Sequence, residues 1–241
     1  MLIVTGILSR AALRTFFFGI VMLISAVSAN AQSGAATVAA DATVYEEQPN
    51  DNAGADAEYC IGNHGTTETR RALVRFNLPA IPAGFIITRV VYDFTQNRVR
   101  QSCVECAATL VMSRITEPWA EGAGSGPGAG PCGGGAAVAG VNWNNQPAVG
   151  GISATAPLPD TGLTPTAITI DTDIGADDDQ LIADIQGWVD GSFQNLGWRM
   201  QVSEEDTVNN ARAMDPGSVT IHWMEPPPPP LEFEDGFEDL P

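Results

Sequence analysis

The clearest fold signal in the chain is one octapeptide, Arg71-Ala72-Leu73-Val74-Arg75-Phe76-Asn77-Leu78. Its apolar side chains recur at every second position, which places Val74, Phe76 and Leu78 on one face. A period of two is the pattern of a β-strand with one buried side. The octapeptide therefore predicts a strand that buries Phe76.

The same pattern continues on both sides of the octapeptide, with Gly, Pro and Asn between the apolar runs. It predicts further strands at Tyr59–Ile61, Ile86–Phe94, Ala108–Ile115, Ala167–Ile170, Trp198–Val202 and Val219–Trp223. Only Gln180–Val189 has apolar side chains at helical spacing. Short strands and one short helix predict an all-β fold, a single antiparallel β-sandwich.

The N-terminus has the pattern of a signal peptide. Arg10 and Arg14 precede an apolar run from Phe16 to Val27, which is shorter than the roughly 20 residues that cross a bilayer. Small residues follow at Ala29-Asn30-Ala31, as at a signal-peptidase site. We expect removal of residues 1–31, a mature protein without a membrane span, and export to the medium or the surface of a Gram-negative bacterium. An uncleaved membrane anchor is the alternative.

Three further segments define the domain organisation. Residues 122–140 are almost wholly Gly, Ala, Ser and Pro and predict a long flexible loop within a domain of residues 32–224. Glu225 and five prolines form residues 225–230 and predict a stiff spacer. The last residues, 231–241, are acidic, with two phenylalanines and too few apolar side chains for a core. They are interpreted either as a tag for a secretion or sorting partner or as a solvated end.

The net charge of the chain is strongly negative. Asp and Glu number 29 against 11 basic residues, all of them Arg, which gives a formal net charge of -18. A surface of this sign repels phosphate backbones and anionic lipids. We therefore expect neither nucleic-acid binding nor docking on anionic membranes.

The four cysteines, Cys60, Cys103, Cys106 and Cys132, indicate two disulfides in an exported chain. Cys103 and Cys106 lie in a predicted turn, where a small ring closes easily. Cys60 points away from the face that carries Tyr59 and is left to hold the loop that contains Cys132. The spacing of Cys103 and Cys106 also occurs in redox dithiols and in zinc sites. A redox dithiol normally opens a helix of a thioredoxin-like unit, and no such pattern surrounds this pair. A zinc site needs a second close pair, but Cys60 and Cys132 are far apart in the sequence.

Several short motifs follow one another in a fixed order: Asp41-Ala42-Thr43-Val44, Tyr59-Cys60-Ile61-Gly62, the octapeptide, Ile81-Pro82-Ala83-Gly84, Arg114-Ile115-Thr116-Glu117-Pro118-Trp119, Val141-Asn142-Trp143-Asn144-Asn145-Gln146-Pro147-Ala148, Gly187-Trp188-Val189, Asn195-Leu196-Gly197 and His222-Trp223. In this order the chain resembles the DNRLRE-type β-sandwich domains of secreted bacterial and archaeal proteins. The resemblance covers about residues 41–224. It implies a jelly-roll-like sandwich that serves as, or is attached to, an extracellular binding protein, in some cases for acidic or neutral polysaccharide.

The sequence offers little catalytic chemistry. It contains two histidines, no nucleophile elbow and no phosphate-binding glycine loop followed by lysine. We therefore expect a non-catalytic module, not an enzyme, that binds polysaccharide or another cell-surface component. A structural or adhesive surface component without a defined small ligand, and a secreted polysaccharide-active enzyme, are the alternatives.

Two pairs of side chains are candidates for ligand contact. Trp119 and Trp143 flank the Gly-rich segment, and their rings suit either stacking on a sugar or packing in the core. Arg98 and Arg100 are suited to pairing with the carboxylates of uronic acids. Against this, the net negative charge of the chain repels a polyanion unless calcium or salt intervenes.

One carboxylate cluster is a candidate calcium site, and calcium is the one cofactor that the sequence suggests. Asp171, Asp173 and Asp177 offer the hard oxygen ligands that calcium prefers. Asp178 and Asp179 stand just before the predicted helix, where carboxylates also cap the helix and complement its dipole. Both interpretations stay open at this point.

Overall fold

The computed structural model describes residues 31–65, 68–99, 107–126, 131–173 and 179–229. These residues form ten strands and one α-helix: β1 (Gln32–Tyr45), β2 (Tyr59–Asn63), β3 (Thr69–Asn77), β4 (Ile86–Val99), β5 (Ala108–Ile115), β6 (Val149–Leu158), β7 (Thr166–Asp171), α1 (Asp179–Val189), β8 (Trp198–Val202), β9 (Arg212–Met214) and β10 (Ser218–Met224). The prediction of an all-β fold with one short helix is confirmed. The described residues contain no helix long and apolar enough to cross a membrane.

The strands pair antiparallel in two joined sheets. In the first sheet β4 lies between β7 on one edge and β10 and β9 on the other, and the start of β1 pairs with β10. In the second sheet the order is β1, β3, β8, β5 and β6. β1 and β2 each contribute to both sheets, so they connect the two layers along one side.

The main core fills the space between the sheets. Val74 and Phe76 of β3 are buried in it, and Leu78 packs against it, as the octapeptide predicts. Phe76 is 1% exposed, and its ring centroid lies 5.7 Å from that of Tyr92 and 6.2 Å from that of Trp198. The predicted strand register is confirmed.

Helix α1 packs on the main core between β4 and β6. Leu181, Ile185 and Trp188 form its buried face. Asp184 on the same helix is also buried, and its carboxylate accepts hydrogen bonds from Ser153 Oγ at 2.5 Å and Trp198 Nε1 at 3.2 Å. These bonds link the helix to β6 and β8.

A second, smaller cluster covers part of the outer face of the second sheet. Its buried members come from β1, β3, β5 and the loops beyond them: Ala42, Val44, Leu73, Ile115, Val141 and Leu196. The described residues of the segment 116–148, hereafter the cover segment, include Trp119 and Trp143, which pack against this cluster. The described parts of the cover segment are residues 116–126 and 131–148.

The Gly-rich part of the cover segment approaches the backbone of Asn52 closely. A Cβ atom at Gly124 would lie 2.2 Å from the Asn52 carbonyl oxygen, and one at Gly135 would lie 2.5 Å from the same atom. Asn52 also exchanges two backbone hydrogen bonds with Ala136. The scarcity of side chains in this segment predicts a flexible loop. In the described residues, the same scarcity allows the close approach of the two backbones.

A disulfide joins Cys60 of β2 to Cys132 of the cover segment, with 5.3 Å between the Cα atoms. This prediction is confirmed. Cys103 and Cys106 lie outside the described residues, so their pairing stays a prediction. A disulfide is typical of proteins in an oxidising compartment.

Candidate functional site

Trp119 and Trp143 are brought to the same face of the second sheet, where both are half-buried. The Trp119 indole donates a hydrogen bond from Nε1 to the carbonyl oxygen of Leu196 at 2.8 Å. A guanidinium group also lies over each ring. Arg75 Cζ is 5.5 Å from the Trp119 ring centroid, and Arg71 Cζ is 4.8 Å from the Trp143 ring centroid. Both tryptophans therefore contribute to packing, and Trp143 lies beside a charged group on the face.

Arg98 is placed away from these tryptophans. It lies in β4 of the first sheet, and its Nη2 forms an ion pair with Glu58 Oε2 at 3.2 Å. Arg100 lies outside the described residues. The structure thus gives Arg98 an internal carboxylate partner, and contact of either arginine with a uronate stays a prediction.

The predicted calcium ligands Asp171 and Asp173 both contact one arginine. Arg89 Nε donates to Asp171 Oδ1 at 2.8 Å and lies 3.1 Å from Asp173 Oδ2. The Arg89 guanidinium, by hydrogen bonding, lowers the pKa of Asp171. Asp177 lies outside the described residues, and within those described no three His, Cys, Asp or Glu side chains are grouped as metal ligands. The site as described is an arginine–carboxylate network.

A different group of polar side chains stands on the outer face of the second sheet. Trp198 and Met200 of β8 point into the main core, so Arg199 and Gln201 point outward. Leu73 pairs with Arg199 across the strands, which places Arg71 on the same outer face of β3. We call Arg71, Arg199, Gln201 and the adjoining Trp143 the arginine shelf.

The arginine shelf continues across the sheet on neutral side chains. Gln201 pairs with Val111 of β5, and Val111 pairs with Thr155 of β6, which is exposed. Neighbouring strands lie about 4.8 Å apart, so the row from β3 to β6 spans roughly 14 Å. Ile152 on β6 is 55% exposed beside this row. The outer face of the sheet is therefore open beyond the arginines.

The two arginines differ in their partners. Arg71 donates from Nε and Nη2 to both carboxylate oxygens of Glu205, each at 2.8 Å, and this hydrogen bonding raises the pKa of Arg71. Arg199 has neither an ion pair nor a side-chain hydrogen bond within the part of the chain that the structure describes, and its Nε is buried without a partner. Burial, and then the nearby charge of Arg71, lower the pKa of Arg199. The two guanidinium groups are thus neighbours, and of the two only Arg71 forms an ion pair with a described carboxylate.

This arrangement favours an anionic ligand. A buried N–H donor without an acceptor costs free energy, and a bound carboxylate would remove that cost. Guanidinium groups bind carboxylates in a bidentate geometry. Gln201 adds an amide whose Oε1 is also buried without a partner, and such an oxygen can accept from a ligand hydroxyl.

The sequence contains only part of the signal for this site. Alternation in Trp198-Arg199-Met200-Gln201-Val202 already places Arg199 and Gln201 together on one face. That Arg199 lacks a carboxylate partner, and that Arg71 lies beside it on the same face, depends on strand pairing between distant segments. Local sequence patterns therefore did not indicate Arg71 and Arg199, and the predicted ligand contacts were Arg98 and Arg100.

No protein-family model matches the sequence, and no curated protein matches it. The resemblance to DNRLRE-type domains therefore stays a prediction.

Proposed function

We propose that this protein is a non-catalytic extracellular binding module for polysaccharide, and that the arginine shelf binds sugars that carry carboxylate groups. The single observation that carries the proposal is the half-buried Arg199, which has no acceptor among the described residues and stands next to Arg71. A uronate carboxylate supplies the missing acceptor with two oxygens.

The shape of the face supports a polymeric ligand. The row from Arg71 to Thr155 is shallow and extends over four strands, long enough for several linked sugar rings. Trp143 forms one margin of the row, so an aromatic edge adjoins the charged groups. The signal-peptide pattern and the Cys60–Cys132 disulfide support a location outside the cytoplasm.

Calorimetric titration with a polyuronate and with its carboxyl-reduced, neutral form tests the proposal. The wild-type protein should bind the polyuronate and should bind the neutral polymer more weakly. In Arg199→Gln the affinity for the polyuronate should fall by roughly tenfold or more, because hydrogen bonds to charged groups contribute about 1.5–3 kcal/mol.

Arg89→Gln is the matched control, since it removes the same charge from the other sheet, where Arg89 pairs with Asp171. This variant should bind the polyuronate like the wild type. Equal affinity of Arg199→Gln and the wild type, or equal binding of both polymers, would contradict the proposal.

A further inference from the structure

Asp41 is a buried carboxylic acid in the strand that joins the two sheets. It follows a bulge between Val38 and Ala40 in the pairing of β1 with β3, which begins at Thr37 directly after β1 leaves β10. Ala42 belongs to the outer cluster, so Asp41 points to the opposite side. Asp41 is 8% exposed, and its Oδ2 atom is buried without a hydrogen-bond partner. An ionised carboxylate in such a place is strongly destabilised.

The charged groups that face Asp41 are also acids. Glu121 of the cover segment accepts a hydrogen bond from the Asp41 backbone N–H, with 2.9 Å between N and Oε1. The negative charge of Asp56 also raises the pKa of Asp41. Ser125 Oγ donates a hydrogen bond to Asp56 Oδ1 at 2.5 Å. None of the three acids has an ion pair in the described ranges. Among the described residues, no ion pair therefore neutralises any of the three acids.

From the other elements, two tyrosines face the same carboxyl. Tyr59 of β2 and Tyr92 of β4 are fully buried, with 3.5 Å between their hydroxyl oxygens. Burial, and in addition the charge of Asp41, raise the pKa of both hydroxyls. They stay neutral, so they add no charge that would favour an ionised Asp41.

Burial, followed by the charges of Glu121 and Asp56, raises the pKa of Asp41 to about 7. In the unfolded chain the pKa of an aspartate lies near its ordinary value of 3.8. Because the folded pKa is the higher of the two, ionisation of Asp41 destabilises the folded state. The stability associated with the neutral carboxyl is fully present below the unfolded pKa. It is lost as the pH rises from about 4 through about 7.

Glu121 has little room to move away from Asp41 by itself. A Cβ atom on Gly54 would lie 2.6 Å from the Glu121 carbonyl oxygen, so the two backbones are already in close contact. The flanking residues are held as well, because Val141 N donates to Ala120 O at 2.7 Å. We therefore expect repulsion between Asp41 and Glu121 to be relieved by displacement of residues 116–126.

We propose that Asp41 is a pH-dependent latch for the cover segment. The neutral carboxyl lets residues 116–126 close against β1, and the ionised carboxylate repels Glu121 and Asp56 and loosens that closure. The latch operates with or without a ligand on the arginine shelf.

Hydrogen exchange of residues 116–126 in the full-length protein tests the latch. After correction for the intrinsic effect of pH, exchange in the wild type should be at least about tenfold faster at about pH 8.5 than at about pH 5. Asp41→Asn, which resembles the neutral carboxyl, should exchange slowly at both. Glu225→Gln, which removes an exposed carboxylate, should behave like the wild type.

Two outcomes would overturn the latch. One is exchange that does not depend on pH in the wild type, or depends on pH equally in Asp41→Asn. The other is slowing of the wild-type exchange at high pH by about 1 mM calcium chloride but not by magnesium, which would identify a cation site instead. If Asp41→Asn fails to fold, Glu121→Gln provides the second test. It removes one of the charges that raise the pKa of Asp41, so the acceleration of exchange between about pH 5 and about pH 8.5 should be smaller than in the wild type.

Discussion

Gly191 and Gly197 have similar left-handed backbones but different surroundings. Their φ angles are +72° and +80°. A Cβ atom at Gly191 would meet nothing within 4 Å, whereas one at Gly197 would lie 2.1 Å from the Val74 carbonyl oxygen of β3. Gly191 is therefore required only for its backbone conformation, whereas Gly197 is required for its conformation and for the space beside β3.

Alanine substitution at the two glycines should therefore have unequal effects. Gly191→Ala should lower the free energy of unfolding by about 1 kcal/mol, the cost of a left-handed backbone for a residue with a side chain. Gly197→Ala should cost at least about 2 kcal/mol more, because β3 and β8 must separate to admit the methyl group. Urea denaturation of the two variants measures the difference, and equal costs would contradict the close approach.

At the scale of strands and helices, the sequence predicts those elements whose apolar side chains repeat locally. Ala108–Ile115 and Trp198–Val202 have the predicted bounds, and α1 begins one residue earlier than predicted. β6 was missed because Gly150 and Gly151 interrupt its pattern on an exposed edge. β1 was not among the predicted strands, and its first half, Gln32–Ala36, which pairs with β10, has little apolar pattern.

The candidate site was predictable only in part for a related reason. Trp143 was selected from its motif, and the outward direction of Arg199 follows from local alternation. The neighbours of Arg199 are residues 71 and 205, which pairing and loop geometry bring together. The absence of an acceptor is a property of the folded surface, so no local pattern indicates it.

The register of β3 is tested by truncation of its largest buried side chain. Phe76→Ala should lower the free energy of unfolding by about 3–5 kcal/mol, because it removes a buried ring that contacts Tyr92 and Trp198. Asn77→Ala, at the exposed neighbouring position, should change it by less than about 0.5 kcal/mol. Similar costs at both positions in chemical denaturation would contradict the register.

At the scale of the whole molecule, one disulfide closes a large loop. Cys60 and Cys132 are 72 residues apart, and the loop between them includes β3, β4 and β5. A covalent loop restricts the unfolded chain more than the folded chain, so the bond should stabilise the fold by constraining the unfolded state.

Removal of this disulfide should destabilise the domain without changing its fold. The double variant Cys60→Ala/Cys132→Ala should lose roughly 2–4 kcal/mol of unfolding free energy. Its far-ultraviolet circular dichroism should stay that of the wild type, since the core side chains are unchanged. A double variant as stable as the wild type in urea would contradict a stabilising role for the bond.

The pairing of the first strand with the last also determines when the fold can be completed. Trp223 Nε1 donates to Gln32 Oε1 at 3.2 Å across 191 residues of chain, and β1 and β10 pair over their backbones beside this contact. Contacts of such long range slow folding. At about 5–20 residues per second, the ribosome needs on the order of 10–40 s to make the chain between the two strands. Throughout that time the start of β1 lacks its partner strand. The first sheet can therefore be completed only after β10 has been synthesised, and not while the rest of the chain is still being made.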